Sequence, residues 1–234
     1  MIALDKVSKN YGKNTSTFTA LDKVSFEVTD GATVAIIGKS GSGKSTLMHV
    51  MSGLDSPSSG SVIIDGQPLQ SLSQKKIDAF RANDMGFIFQ SFFIEPNQTC
   101  LQNVLLPLEI AKVARGSRKP KALEALTAVG LDDKADNLAV SLSGGQKQRL
   151  AIARAIANKP RILFADEPTG NLDSATGEMI IKLLFSLNAD LGCTLIVVTH
   201  DKDLALRCQK QIQIKDGKVQ RIDQANQRTK KVVR

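Results

Sequence analysis

Residues 33–48 read TVAIIGKSGSGKSTLM, and this stretch decides the fold. Its first five residues are mostly β-branched and form a continuous run, which is typical of a strand buried in a parallel sheet. The glycines that follow let the backbone curl until successive N–H groups point inward. The next residues, Thr46-Leu47-Met48, are compatible with a helix whose positive N-terminal end faces the same point. The sequence therefore predicts a phosphate-binding loop between a strand and a helix.

Two side chains of this loop have direct roles in holding a nucleotide. Lys44 can reach the β- and γ-phosphates, and Ser45 can offer its hydroxyl to Mg²⁺. A flexible glycine-serine loop is the simpler interpretation, but a strand before it and a helix after it favour binding of ATP or GTP. We assign nucleotide binding to Gly38, Lys39, Ser40, Gly41, Ser42, Gly43, Lys44, Ser45 and Thr46.

The rest of the chain predicts an α/β fold around this loop. Residues 162–165 and 194–199 are further continuous apolar runs, and helical patterns at 146–157 and 175–189 separate the strands. Strands that alternate with helices favour a core with a parallel sheet, here a P-loop NTPase core.

Several stretches do not fit a simple parallel core. Residues 2–7, 21–28 and 61–65 predict an N-terminal antiparallel β layer, and residues 91–140 predict an inserted helical subdomain, with helices near 101–113 and 119–129. Near the end, residues 211–214 and 218–222 flank an Asp-Gly turn and predict a hairpin. We expect one ATPase domain over 1–223 and a basic, disordered tail over 224–234.

Two acidic residues follow the apolar run that ends at Ala165. A carboxylate at the end of such a strand can hold the water shell of Mg²⁺, which we assign to Asp166. Glu167 is placed to accept a proton from an attacking water. Acidic residues also cap helices, but two in succession after a buried strand, in a chain with a phosphate loop, favour catalysis.

A second glycine-containing motif lies at residues 142–146, which read LSGGQ and run into a helical pattern. A serine hydroxyl, glycine amides and a helix N-terminus here face one direction and form a second anion site. One ATP does not need two such sites in one chain. Two chains arranged head to tail do, because each would cover the nucleotide held by the other.

With these motifs in this order, the chain resembles the ABC ATPase family over nearly its whole length before the tail. The resemblance implies that Tyr11 stacks on adenine and that Gln90 joins Mg²⁺ to the lobe facing the membrane. It also implies that Asp173 lies in a loop crossing to the partner subunit and that His200 contacts the γ-phosphate. Outside that order, a lone Gln or His would more often be structural, and Tyr11 could simply pack.

The family pattern defines the complete candidate site. The implied catalytic residues are Glu167, His200, Gln90 and Lys44, and the implied Mg²⁺ ligands are Ser45, Gln90 and Asp166. Beyond the phosphate loop, the implied nucleotide contacts are Tyr11, Gln90, Ser143, Gly144, Gly145, Gln146, Asp173 and His200.

A narrower resemblance is carried by residues 166–173 (DEPTGNLD) and 103–108 (NVLLPL). Both are similar to the branch of lipoprotein-releasing, macrolide-export and cell-division ATPases, which pair with a separate permease. Phe93, Glu95, Asn97 and Gln98 depart from that pattern where the permease is expected to bind, and Ala139 replaces a proline common before the LSGGQ motif. The cargo and the permease are therefore not assigned.

Composition bounds the partners and the compartment. The chain carries a net charge of +8, part of it in Arg228, Lys230, Lys231 and Arg234, which favours anionic partners or a simply solvated tail. The start lacks the apolar stretch of a signal peptide, and three scattered cysteines indicate a reducing compartment. We expect a protein peripheral to the cytoplasmic face of the membrane, binding ATP and Mg²⁺, a second copy and a permease. The alternative is a soluble ABC ATPase acting on nucleic acid or ribosomes, although no second cassette or long coiled coil is present in the sequence.

Overall fold

Residues 1–12 and 17–225 are described by a computed structural model. Its elements are, in chain order, β1 (Ile2–Tyr11), β2 (Phe18–Val28), β3 (Thr33–Ile37), α1 (Lys44–Met51), β4 (Ser59–Ile64), β5 (Gln67–Pro68), α2 (Gln74–Asp84), β6 (Met85–Phe89), α3 (Cys100–Ile110), α4 (Arg115–Ala128), α5 (Gly144–Ile156), β7 (Ile162–Asp166), α6 (Ser174–Leu191), β8 (Thr194–Thr199), α7 (Lys202–Arg207), β9 (Lys210–Lys215) and β10 (Lys218–Gln224). The chain forms two compact units, one of residues 1–78 with those from Ile196 onward, the other of residues 79–195.

The first unit contains the predicted antiparallel layer. Four strands lie in the order β2-β1-β4-β5, with Ile2 paired to Val28 on one side and to Ile64 on the other. Buried residues alternate with exposed ones along β2, as expected for a sheet with one covered face. The antiparallel prediction is confirmed.

The first unit also holds the strand that leads into the phosphate loop. β3 pairs in parallel with β9, and β9 pairs antiparallel with β10. Asp216 and Gly217 join that hairpin, and both have positive φ, 49° and 72°. Two residues in the left-handed region give the primed turn that suits the twist of a hairpin. The predicted Asp-Gly hairpin is therefore confirmed, although β10 extends to Gln224, the first residue of the predicted tail.

The second unit combines a parallel strand pair with helices. β6 and β7 are parallel, with Phe89 beside Asp166 at their ends. α5 packs closely on β6, since a Cβ on Gly86 would lie 2.3 Å from the carbonyl oxygen of Ala155. α3, α4 and α5 pack on one another. The α/β fold with parallel strands and helices is confirmed.

Four elements were not anticipated, namely β5, α2, β6 and α7. α2 reads QKKIDAFRAND, in which Ile77 and Phe80 are the only large apolar residues, so its apolar stripe is too short to indicate a helix. The two compact units have different bounds from the predicted domains. The predicted division, one domain over 1–223 with a helical subdomain at 91–140, stays a prediction. The predicted tail lies outside the described residues from position 226 onward. Within residues 1–12 and 17–225, no helix has both the length and the apolar character to span a membrane.

Candidate functional site

The phosphate loop joins β3 to α1 in the first unit, and its glycines are required by close contacts. A Cβ on Gly38 would lie 2.3 Å from the carbonyl oxygen of Ile214, and one on Gly43 would lie 2.5 Å from that of Ala20. Gly43 also has a φ of 99°, which L side chains rarely adopt. The backbone therefore bends here in a way that no other residue type permits.

The interior of this loop fits a phosphate group. Lys44 is only 9% exposed, and its Nζ donates to the carbonyl oxygens of Gly38 and Lys39 at 3.0 and 3.1 Å. The Oγ of Ser42 is buried without a hydrogen-bond partner among the described residues. No described side chain caps the N-terminus of α1. A buried cation, an unpartnered hydroxyl and an uncapped helix N-terminus together favour an anionic ligand.

The other predicted residues of the first unit lie at the ends of its elements. Ser45 and Thr46 are in the first turn of α1, and Ser45 is exposed. Tyr11 ends β1, is 41% exposed and donates its hydroxyl to Asp55 Oδ2 at 2.8 Å. His200 is exposed directly after β8.

In the second unit, the acidic pair lies where β7 ends. Asp166 is the last residue of the strand, and Glu167 has a φ of 47°. Positive φ in a residue with a side chain is strained, and such strain concentrates at functional sites. The carbonyl oxygen of Glu167 accepts from the N–H of Gly170 at 3.0 Å, which closes the turn.

Gln90 is bound to the segment that follows the acidic pair. Its Nε2 donates to Asn171 Oδ1 at 3.2 Å, and Asn171 Nδ2 donates to the Gln90 carbonyl oxygen at 2.9 Å. A Cβ on Gly170 would lie 2.8 Å from Gln90 Nε2. These bonds use the amide nitrogen of Gln90 and not its side-chain oxygen, which is the atom a hard cation would take.

The LSGGQ motif forms the N-terminus of α5. Ser143 Oγ accepts from the N–H of Gln146 at 3.3 Å, while Gln146 Oε1 accepts from the N–H of Ser143 at 2.9 Å. This reciprocal pair is a capping box. Gly144 is exposed, and a Cβ on Gly145 would lie 2.5 Å from Thr176 Cγ2.

Thr176 is also bonded to Asp173, the residue that caps its own helix, α6. Asp173 caps α6 by accepting from the N–H of Thr176 at 3.0 Å. Hydrogen bonds from Thr176 hold the pKa of Asp173 below its ordinary value. Thr176 therefore joins the LSGGQ motif to Asp173, a link that the sequence did not indicate.

The sequence reasoning missed other contacts of the second unit. Gln148 is buried in α5, and its Nε2 donates to the carbonyl oxygen of Pro168 at 2.6 Å, beside the acidic pair. Asn171 lies within the 166–173 motif, but the motif does not indicate its bonds to Gln90. No composition or spacing signal indicates either contact, because each joins elements that are distant in the sequence.

Residues 90–98 form a strained segment with an apolar cluster at Phe92, Phe93 and Ile94. Phe92 and Phe93 have φ of 58° and 48°, and Phe93 is 64% exposed. The guanidinium of Arg154, on α5, donates to the Phe93 carbonyl oxygen. Asn103, fully buried, accepts from the N–H of Glu95 at 2.8 Å and donates to its carbonyl oxygen at 3.0 Å. The segment is therefore fixed by side chains from α3 and α5.

The predicted residues fall into two groups. Tyr11, the phosphate loop and His200 belong to the first unit, and the second unit holds Gln90, Ser143, Gly144, Gly145, Gln146, Asp166, Glu167 and Asp173. Within the second unit, Gln90 is bonded to Asn171, and Thr176 contacts both Gly145 and Asp173.

Comparison with known proteins gives consistent matches. A family model described as ABC transporter matches residues 21–170. The dimeric structure of the ATP-binding cassette MJ0796 in a post-hydrolysis state, bound to ADP and Pi, is 41% identical and covers 96% of this chain and 99% of its own, with a TM-score of 0.87. A second dimeric structure of MJ0796 gives the same values. The cbiO1 protein from Clostridium perfringens, part of the transporter complex cbiONQ, is 30% identical, covers 98% and 90%, and has a TM-score of 0.87.

Proposed function

This chain belongs to the ABC transporter family, and we propose that it is the ATP-hydrolysing subunit that drives a separate membrane permease through ATP-dependent dimerisation. The observation that carries the proposal is the glycine-bounded loop around Lys44, with its uncapped helix N-terminus and buried, unpartnered Ser42 hydroxyl. Such a loop fits the β- and γ-phosphates of ATP. The cassette MJ0796, which is 41% identical, binds ADP and Pi.

The donor set proposed for Mg²⁺ is made of oxygen atoms. Ser45 offers a hydroxyl in the first unit, and Asp166 and Gln90 offer a carboxylate and an amide oxygen in the second. These are the hard ligands that Mg²⁺ prefers. When bound, the ion supplies positive charge to the phosphate oxygens and orients them. Mg²⁺ fits this donor set because the available atoms are oxygens. Asp166 ends its strand, and the side-chain nitrogen of Gln90 is already bonded to Asn171, which leaves the side-chain oxygen for the ion.

Glu167 is the proposed general base. Its carboxylate would take the proton of the water that attacks the γ-phosphorus, and ADP and phosphate would leave. The strained φ at Glu167 and the short turn closed by Gly170 support a fixed placement of that side chain. His200 is the proposed contact of the γ-phosphate, and Lys44 holds the ground-state phosphates.

The proposed dimer is head to tail, with Ser143, Gly144, Gly145 and Gln146 of one copy covering the nucleotide of the other. Asp173 would cross to the partner, and Tyr11 would stack on the adenine. An exposed helix N-terminus at Gly144 supports this arrangement, because it presents N–H groups to an outside anion. MJ0796 is dimeric in both matched structures.

We propose that this chain is one ATPase domain over 1–223, with a helical subdomain at about 91–140 and a basic tail at 224–234. It works at the cytoplasmic face of the cell membrane, in the branch that serves lipoprotein release, macrolide export and cell division. The motifs at 103–108 and 166–173 support that branch. The membership of cbiO1 in a transporter complex supports a permease partner. The runner-up, action on nucleic acid, is supported only by the positive net charge.

The test of the chemistry is Glu167→Gln. Loss of a general base costs about 10²- to 10⁴-fold in rate, so steady-state hydrolysis should fall by that factor while ATP still binds in a titration. Lys44→Ala should weaken both binding and turnover. A Glu167→Gln protein that hydrolyses ATP near the wild-type rate would contradict the assignment.

Residues 90–98 are the proposed docking segment for the permease. The strained backbone at Phe92 and Phe93 places an aromatic side chain in solvent, and Gln90 ties the segment to Asn171 beside the acidic pair. If Asn171 moves when ATP binds, its bonds to Gln90 would therefore move residues 90–98 as well.

The docking test compares two exposed apolar side chains of one unit. Phe93 is 64% exposed and Ile110, at the end of α3, is 63% exposed. Burying a Phe stabilises by roughly 1.5–3 kcal/mol, so Phe93→Ser should weaken co-purification with the co-expressed permease about tenfold or more. Ile110→Ser is the matched control and should co-purify as wild type. Equal retention of both variants would exclude this segment as the docking surface.

A further inference from the structure

Tyr11 is held by two neighbouring charged side chains. Its hydroxyl donates to Asp55 Oδ2 at 2.8 Å, and the Lys9 Nζ lies 4.9 Å from the centroid of its ring. Lys9 and Tyr11 are two positions apart on β1, so their side chains project from the same face of the strand. A cation at this distance from an aromatic ring is attracted to its face. The ring is therefore bonded at its hydroxyl and covered on one face.

Asp55 joins this pair to the helix that follows the phosphate loop. Its Oδ1 accepts from Lys9 Nζ at 2.5 Å and from the N–H of Ser56 at 2.8 Å. Its own N–H donates at 3.1 Å to the carbonyl oxygen of His49, which lies in α1. The Asp55 carboxylate is therefore bonded to Tyr11 and Lys9 on β1, while the Asp55 backbone is hydrogen-bonded to α1.

The electrostatics agree with this geometry. Burial raises the pKa of Tyr11, and the hydrogen bond and negative charge of Asp55 raise it further. Burial alone would raise the pKa of Asp55, but the bonds from Lys9, Tyr11 and Ser56 outweigh it and lower that pKa. Lys9 is only 12% exposed, which keeps its ammonium beside the carboxylate and the ring. Both shifts favour an ionised Asp55 that accepts a hydrogen bond from a neutral Tyr11.

We propose that Asp55 and Lys9 are positioning residues that fix the Tyr11 ring as the platform for the purine of ATP. This inference rests on the proposed function. Lys9 covers one face of a ring that stays 41% exposed, and a flat heteroaromatic base would stack on the other face. The platform recognises the base and not the phosphates. It therefore determines how much tighter ATP binds than a bare polyphosphate.

The experiment measures two ligands on the purified protein, Mg²⁺-ATP and Mg²⁺-tripolyphosphate, by isothermal titration. An aromatic stack makes a modest contribution to binding, so Asp55→Ala should weaken ATP binding about three- to tenfold and leave tripolyphosphate binding within twofold. The KM for ATP should rise by a similar factor, with kcat at saturating ATP within twofold. Asp55→Asn, whose amide oxygen can still accept the hydrogen bond from the tyrosine hydroxyl, should recover most of the affinity.

The matched control is Asp223→Ala. Asp223 is also a partly exposed, ion-paired carboxylate in the same unit, bound to Arg221 Nε at 2.6 Å. It lies on β10, in a different sheet from the β1 strand that carries Tyr11, and ATP affinity should stay at the wild-type value. Thermal unfolding of each variant checks that the protein remains folded.

Tyr11 can also be observed directly, because the chain has one tyrosine and no tryptophan. Ultraviolet absorbance as a function of pH then reports this single phenol. Its pKa should lie above the ordinary value of a tyrosine in the wild type and fall in Asp55→Ala, because the bond and charge that favour the neutral phenol are gone. Saturating ATP should change the tyrosine emission of the wild type.

The outcomes separate this inference from the proposed function. If the wild type binds neither ligand, the proposed function is wrong. If both ligands bind but Asp55→Ala retains wild-type affinity for ATP, or its phenol titrates as in the wild type, the positioning role is wrong. Equal loss of ATP and tripolyphosphate affinity would also overturn it, because Asp55 would then support the phosphate loop and not the platform.

Discussion

Two helices of this chain begin at glycine-containing motifs, and they begin differently. α1 follows the phosphate loop and has Gly43 as its N-cap, with no side-chain cap among the described residues. α5 follows the LSGGQ motif and carries a complete capping box from Ser143 and Gln146. The first N-terminus leaves its N–H groups for a ligand, while the second uses one of them within its own chain. The α1 N-terminus therefore has all of its N–H groups open to an anion, whereas α5 has one N–H fewer to offer, and Ser143 keeps its own hydroxyl proton to donate.

The supports of the two motifs differ as well. The phosphate loop is enclosed by backbone, since Gly43 lies against the Ala20 carbonyl and the Ser42 carbonyl accepts from the N–H of Gly217 at 3.1 Å. The LSGGQ motif is held by side chains, with Gly145 against the methyl group of Thr176. Backbone supports are hard to displace, whereas a short side chain can move by a few tenths of an ångström.

The largest expected effect comes from breaking the phosphate loop. Gly43→Ala places a Cβ 2.5 Å from the Ala20 carbonyl oxygen at a φ of 99°. Overpacking and left-handed strain together cost about 3 kcal/mol, and the loop would shift to relieve them and misalign its N–H groups. ATP affinity should fall about 100-fold, as measured by titration.

Gly41→Ala is the matched control for that change. Gly41 has a φ of 76°, but a Cβ there would meet nothing within 4 Å. Strain alone costs about 1–2 kcal/mol, so the affinity should fall only about tenfold. If the two variants bind ATP equally, backbone enclosure does not determine the loop.

A smaller effect is expected from the LSGGQ motif. Gly145→Ala places a Cβ 2.5 Å from Thr176 Cγ2, an overlap that costs about 1–3 kcal/mol and moves α5 away from α6. The midpoint of urea unfolding should decrease accordingly. ATP binding to the intact phosphate loop should stay within twofold, and ATP-dependent dimerisation should weaken.

Gly144→Ala tests whether the contact with Thr176 is responsible. A Cβ at Gly144 would lie 3.9 Å from the nearest atom, Leu172 Cδ2. Alanine in a helix is favoured over glycine by roughly 0.5–1 kcal/mol, so this variant should unfold at an equal or higher urea concentration. Gly145→Ala unfolding at the same concentration as Gly144→Ala would show that α5 tolerates the displacement.

Much of the fold could be predicted because its signals are local. Thr33–Ile37 and Thr194–Thr199 are strands with the predicted bounds, since a continuous apolar run between turn signals indicates a buried strand. The Asp216-Gly217 turn was predictable for the same reason, because two residues suffice to define it. β6 was missed because five residues that include Gly86 give a weak strand signal beside a helix without a buried face.

The residues of the candidate site also differ in whether a local sequence signal indicates them. Gly38, Gly43 and Lys44 are marked by a motif whose geometry follows from its residue types. Asp55, by contrast, is one aspartate in a loop after α1, and only the fold brings it within 2.8 Å of the Tyr11 hydroxyl. The sequence contains no periodicity or spacing that joins positions 11 and 55.

The bond between Ser42 and Gly217 also bears on the order of synthesis. The ribosome makes the phosphate loop well before the hairpin of β9 and β10, which supplies both the N–H that bonds the Ser42 carbonyl and the Ile214 carbonyl that packs on Gly38. Gly217 also accepts from the N–H of Asp22 at 2.9 Å, so the hairpin turn holds two earlier segments at once. A nascent chain therefore contains the whole glycine motif without these supporting contacts until the hairpin has been synthesised.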